Sequence, residues 1–149
     1  EIYTLSLHDA LPIYDCAQRE PFARDANLLQ VAQIFDDVEL WACPHSFPDI
    51  AYILHRAIPA TRLRKMVLES LSFISVCTLD DETVREALIA AGCDIEDDFV
   101  EQCARRIKAD YIITRDKEGF TTSKIDAISP GEFIARQKNK QIYYDIMGC

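Results

Sequence analysis

Four carboxylates stand within five residues at Asp94-Ile95-Glu96-Asp97-Asp98, and Asp116 closes the stretch Asp110-Tyr111-Ile112-Ile113-Thr114-Arg115-Asp116 a short way downstream. Carboxylates this close repel one another, so the knot calls for counter-charge, and a divalent cation is its simplest source. Along a helix, Asp94, Asp97, Asp98 and Glu101 fall at i, i+3, i+4 and i+7. Ile95, Phe99, Cys103 and Ile107 form a second, apolar stripe. Asp94 also suits an N-cap with Asp97 at N3, where the helix dipole favours negative charge, so capping is the competing reading. Tyr111–Ile113 reads as a short buried strand that ends at Thr114-Arg115-Asp116. A helix followed by a strand carrying a carboxylate at its C-terminal end is how open α/β sheets build ligand sites.

The elements that must position these acids alternate along the chain. Leu28, Val31, Ala32 and Phe35 make a helical stripe, and Val38, Leu40 and Ala42 then alternate as a strand. Ser46 opens a helix with Asp49 three residues on, a capping-box spacing, and Ile50, Ile53, Leu54 and Ala57 form its apolar face. Arg62 to Leu71 reads as helix and Phe73 to Cys77 as strand. Val84, Ala87, Leu88 and Ala91 mark another helix that starts at Asp80 or Asp81 and stops at Gly92. Ile125 to Ile128 is a last short strand, and Ser129-Pro130-Gly131-Glu132 is a capping box with Pro at the first helical position. Such alternation implies a mostly parallel sheet between helical layers.

At 149 residues the chain makes one domain, large enough to bury roughly two-thirds of its unfolded surface. Its six cysteines (Cys16, Cys43, Cys77, Cys93, Cys103, Cys149) show no C-x-x-C pair and read as reduced core thiols of a cytoplasmic protein. No apolar run approaches the roughly 20 residues that cross a bilayer, and the first residues form no secretory signal. The net charge of −9 argues against a protein that coats nucleic acid, but cation-holding carboxylates are counted in that total. Arg56, Arg62, Arg64 and Lys65 lie in residues 50–65 without one acid, as a solvated face or a phosphate or partner contact. His45 and His55 lack a paired ligand at helical spacing, and Trp41 reads as core. With only four glycines, no Gly-rich phosphate loop is visible, nor is a Ser-His-Asp constellation.

Taken together, Arg19-Glu20-Pro21-Phe22, the segment Ser46 to Leu54, Asp94 to Asp97, Ala109 to Asp116 with Phe120, and Ser129 to Phe133 resemble a PIN domain. The branch is the one similar to VapC-type toxins of bacterial toxin–antitoxin pairs. The resemblance implies an α/β, PIN-like three-layer sandwich with a mostly parallel central sheet flanked by helices. It implies an Mg²⁺- or Mn²⁺-dependent endoribonuclease acting on an RNA substrate, with a cognate antitoxin and a homodimeric state. By motif position, Asp49 stands at the family's second acid, Asp97 at the third and Asp116 at the fourth. Thr114 is a hydroxyl contact beside Asp116, and Asp94 a cap or outer acid. The chemistry fits, because phosphodiester hydrolysis needs an activated water and neutralised phosphate charge, and Mg²⁺ held by two or three carboxylates supplies both. Without an ion, Asp49, Asp97 and Asp116 repel, and at least one pKa should rise.

Asp9 takes the place of the family's first metal ligand, but Ala10-Leu11 replaces the Thr-Asn that follows it in the family. Residues 1–13 moreover read as translated sequencing-adapter sequence, a non-native segment; 14–137 read as the PIN-like domain and 138–149 as an unassigned tail. Two other readings remain at this point. One is a pseudo-nuclease that keeps partner binding while its metal site is impaired. The other is a phosphoacceptor receiver-like domain, for which Cys77-Thr78-Leu79-Asp80 makes a poor site.

Overall fold

The computed structural model describes residues 2–8, 22–90, 92 and 94–137. The elements run β1 (Tyr3–Leu7), α1 (Phe22–Ile34), β2 (Val38–Ala42), α2 (Ser46–Leu54), α3 (Ala60–Ser70), β3 (Ile74–Val76), α4 (Asp81–Ile89), α5 (Ile95–Arg106) and β4 (Tyr111–Ile113). A 3-10 turn (Glu118–Phe120), β5 (Ala127–Ile128) and α6 (Pro130–Arg136) complete them. Every strand pairing is parallel, in the order β3-β2-β1-β4-β5. This is the α/β architecture expected from the alternation, a parallel sheet between helical layers.

Period-two side-chain alternation decides which helix covers which face. Leu5, Leu7, Val38, Leu40, Ala42, Ile74, Ile113 and Ile128 point to one side and pack with Leu28, Leu29, Val31 and Ala32 of α1 and with Phe133 and Ile134 of α6. Ile112, one residue out of phase with Ile113, joins Val100 and Ala104 of α5 and Phe120 on the other side. Beside that second cluster, Cys43, Cys77 and Cys103 pack with Trp41 and Phe99. All three are free thiols, with the Cys43 and Cys103 sulfurs 2.8 Å apart. Burial first, then the neighbouring Cys103, pushes Cys77 up to about 12, which keeps it protonated and inert.

The strand order makes β1 the pivot. It pairs with β2 on one side (Leu5 opposite Leu40) and with β4 on the other (Leu5 opposite Tyr111). The chain leaves β1 toward β2 and leaves β4 toward β5, so the connections diverge between β1 and β4. A crevice opens at the C-terminal ends of strands at such a switch point. The central strand is thus supplied by residues 3–7, upstream of the boundary expected for the domain.

Caps fix several helix starts. Asp80 accepts from the Thr83 N–H (3.0 Å), Asp94 from those of Glu96 (2.7 Å) and Asp97 (3.4 Å), and Ser129 from that of Glu132 (3.1 Å). At α2 the expected cap is absent: His45 occupies the N-cap position without a side-chain bond, and Ser46 lies inside the helix with its buried hydroxyl unpaired. The amphipathic faces also need correction. Ile53 and Ile95 are exposed; on α5 the rest of the expected stripe, Phe99, Cys103 and Ile107, does pack inward, and Val100 and Ala104 are buried beside it. Ile95 sits in the first turn, before the helix meets the sheet.

Asp36 (φ 56°) and Lys108 (φ 55°) follow α1 and α5 in the left-handed region, where a β-carbon costs roughly 1 kcal/mol or more. Lys108 is exposed, so Lys108→Gly removes the strain with little lost packing. It should stabilise the fold by about 0.5–1 kcal/mol in chemical denaturation.

Candidate active site

The crevice between β1 and β4 gathers residues from three elements. His8 follows β1, and its backbone N–H donates to the Ile113 carbonyl (3.0 Å). Thr114 follows β4 and is fully buried. Its hydroxyl is 2.7 Å from His8 Nδ1 and accepts from the Asp116 N–H (3.0 Å), which holds the turn that presents Asp116. Asp97, in the first turn of α5, reaches the same place, with Oδ1 2.8 Å from His8 Nε2. The side chains of His8 and Asp97 are only 15% and 13% exposed. The Phe120 ring stands edge-on to the imidazole, with centroids 4.8 Å apart.

Burial is the largest cause that raises the pKa of Asp97, and the negative charges of Asp94 and Asp116 add to it while His8 opposes them. A half-buried carboxylate under like-charge pressure is costly until a cation meets it. The expected rise of one pKa among the site acids is therefore found at Asp97, although its main cause is burial and Asp49 is not among the charges acting on it.

The acidic knot itself is divided. Asp94 is spent on backbone N–H groups as the helix cap, and Asp98 accepts from the Gly92 N–H (3.1 Å). Local amides thus meet two of the four acids, so the knot as a whole does not require a cation; only Asp97 turns into the crevice. Asp116 is exposed and accepts through Oδ1 from the Glu118 N–H (3.2 Å). Asp49 is exposed in the first turn of α2, which leaves the C-terminal end of β2 on the same edge of the sheet. The structure brings together Asp94, Asp97, Thr114 and Asp116; Asp49 has no described contact with them, and Asp9 lies outside the described residues. His8 is the member that sequence reasoning missed. It falls in the segment read as foreign, and its partners are remote in sequence, so no local pattern marks it.

Gly119 completes the pocket. A β-carbon there would stand 2.0 Å from Asp97 Oδ2, so the missing side chain makes room for the carboxylate. Gly119→Ala must push Asp97 off His8. The expected result is a folded protein, destabilised by about 1–2 kcal/mol, in which any metal-induced rise in melting temperature is strongly reduced; calorimetry with and without Mn²⁺ checks both.

A PIN-domain family model matches residues 13–118, more than half of the chain. The chain belongs to the PIN-domain family. Among solved structures, this PIN domain is similar to VapBC-1 from nontypeable Haemophilus influenzae, with a TM-score of 0.64 and 13% identity over 88% of this chain and 99% of that one. It is also similar to FitAB bound to an IR36 DNA fragment, with a TM-score of 0.57 and 14% identity over 85% and 94% of the two chains. FitAcB from Neisseria gonorrhoeae gives a TM-score of 0.52 and 13% identity over 85% and 98%. At these identities the likeness is one of fold. No curated protein matches. Among the described residues, no helix of this PIN domain is long and apolar enough to cross a membrane.

Proposed function

We propose that this PIN domain is a Mg²⁺- or Mn²⁺-dependent endoribonuclease that hydrolyses RNA phosphodiester bonds, the toxin of a toxin–antitoxin pair. The observation that carries the reading is Asp97. It is a half-buried carboxylate aimed into the switch-point crevice and pressed by Asp94 and Asp116, in a family whose members are generally nucleases.

The donor set fits a hard divalent cation. Among the described residues no three His, Cys, Asp or Glu groups enclose an ion by themselves. Mg²⁺, however, characteristically takes one or two carboxylates and keeps several waters, leaving positions for substrate phosphate. Gly119 leaves room for the Asp97 carboxylate itself at the mouth of the crevice. Asp97 and Asp116 would hold the ion, with Asp49, on the same sheet edge, as a further acid; Asp9 is a candidate by motif position alone. When bound, such an ion neutralises phosphate charge and acidifies water. Thr114 positions the Asp116 turn and the His8 ring through its hydroxyl, and Phe120 walls off one side of the crevice.

The antitoxin partner is supported by likeness to the toxin–antitoxin proteins VapBC-1 and FitAB. Phe47, Pro48, Leu63, Val67 and Leu68 line an apolar groove between α2 and α3, which offers such a partner a surface beside Arg64. The test is incubation of the purified chain with a mixed cellular RNA pool, with Mg²⁺, with Mn²⁺ and with chelator. Cleavage that needs the ion and is lost in Asp97→Asn supports the nuclease. A second reading, the pseudo-nuclease, is favoured by the His8–Asp97 contact, since a histidine already meets the acid. It predicts no cleavage under any ion, with partner binding retained.

A further inference from the structure

We infer that the cleft between α4 and α5 is a binding site for a guanine base, read by Gln102 together with Glu86 and Arg105. Neither Asp97 nor a cation enters it.

The two helices form an antiparallel pair whose register is fixed at both ends, by the Gly92 N–H on Asp98 (3.1 Å) and by Arg106 Nη1 on the Thr83 hydroxyl (2.7 Å). Glu86 of α4 is thereby set about level with Gln102 of α5. Between the helices lies a cavity of about 490 Å³ lined by Glu82, Thr83, Glu86, Gln102, Arg105 and Arg106, a size within the roughly 300–1,000 Å³ of small-molecule sites.

Gln102 is only 8% exposed, yet its amide makes no hydrogen bond among the described residues. Buried amides are normally satisfied, because an unmet one keeps its full desolvation cost. At the mouth of the cavity, Glu82, Glu86 and Arg105 are exposed and form no ion pair among the described residues. Opposite charges thus line one cleft without meeting, and a guest that donates to one and accepts from the other would bridge them. Arg106 differs: Asp80 (2.8 Å) and Thr83 hold its guanidinium, which leaves a fixed plane of the kind on which splayed-out bases stack.

The unmet groups select the guest. Two free carboxylates beside one free guanidinium disfavour a bare anion, and a polar lining disfavours an apolar guest. Guanine offers N1–H and its 2-amino group as donors and O6 and N7 as acceptors. The Gln102 amide, donor and acceptor at once, meets O6 and N1–H; Glu86 takes the 2-amino group and Arg105 takes N7. Adenine has no donor left for Glu86 once Gln102 is met.

The base can belong to a free nucleotide or to an RNA strand, and two titrations of the full chain separate these sources. Chelator is present in both, so they stand whether or not the chain is a metal-dependent nuclease. In the first, calorimetry should show GMP bound at least about tenfold more tightly than AMP, CMP or UMP, the discrimination that a bidentate base contact gives. In the second, fluorescence anisotropy compares a single-stranded uridine oligomer carrying one guanosine with the all-uridine oligomer. Preference for the guanosine oligomer without GMP binding assigns the base to RNA, and GMP binding without that preference assigns it to the free nucleotide. Gln102→Met should lower guanine binding by about tenfold or more while the empty protein becomes no less stable to urea, because the variant removes an unmet buried amide. Glu86→Ala, at an exposed position, should erase any preference for guanine over hypoxanthine, which lacks the 2-amino group. No preference for guanine in either titration overturns the inference, and so does a preference that survives either variant unchanged.

Discussion

Asp97→Asn should lower metal-dependent RNA cleavage by about a hundredfold or more, since even contacts behind a metal ligand cost 10–100-fold when removed. The same variant should lose the rise in melting temperature that Mn²⁺ gives the parent, which follows RT ln(1 + [L]/Kd) for one site. Its behaviour with pH is a sharper check. The carboxyl of Asp97 is held above its ordinary value of 3.8, first by burial and then by Asp94 and Asp116. A group raised on folding contributes stability that is fully present below the unfolded pKa and lost as pH rises through the folded one. The apo parent should lose that contribution above about pH 4, and Asp97→Asn should not. Asp80, lowered chiefly by its bond from the Thr83 N–H, and Glu132, lowered chiefly by Lys117, act in the opposite sense, losing stability as pH falls. Both are common to parent and variant, so the difference between the two melting curves isolates Asp97. A variant less stable than the apo parent at neutral pH would mean that its bond to His8 outweighs the burial.

The largest effect on the fold is expected from Phe133→Ala. Phe133 is fully buried where α6 meets the sheet, with its ring edge-on to Tyr3 (5.7 Å between centroids) and to Tyr111 (6.0 Å). Loss of a buried Phe side chain costs about 3–5 kcal/mol, because the cavity is only partly refilled, and the aromatic pairs add to that. Urea denaturation at neutral pH measures it. The change lies on the face opposite Asp97, so the folded fraction should keep the parent's response to Mn²⁺.

The contacts a local pattern can encode are the ones that were legible. Ser129 and Glu132 announce the start of α6 three residues apart, and Asp80 and Asp94 do the same for α4 and α5. Tyr111–Ile113 is a buried strand because β-branched residues fill both faces. Thr114 and Asp116 were readable as the end of that strand. Ser46 shows the limit: its spacing to Asp49 suits a cap, but the chain turns one residue earlier, at His45. The exposed Ile95 shows another, since periodicity locates an apolar stripe without saying where along the helix the sheet begins. His8 and Gly119 were illegible for a different reason. Each matters only through Asp97, and nothing short of the tertiary fold brings either to it. The alternation of Tyr3, Leu5 and Leu7 carries an ordinary strand signal. Reading residues 1–13 as foreign leaves it unused, yet backbone pairing asks only for that alternation, whatever the origin of the residues.

The placement of β1 also governs how the molecule comes to be assembled. Thr4 exchanges backbone and side-chain hydrogen bonds with Asp110, 106 residues away, and until β1 inserts, the other four strands form two separate pairs, β3-β2 and β4-β5. Closing so long a loop is entropically expensive, and folds dominated by such remote pairings fold slowly. While it waits, β2 and β4 each present an open edge of unpaired amides and carbonyls, the template on which chains associate. Refolding should be slow and concentration-sensitive, and the yield of monomeric protein should depend less on the burial of the core than on how soon one five-residue strand finds its slot.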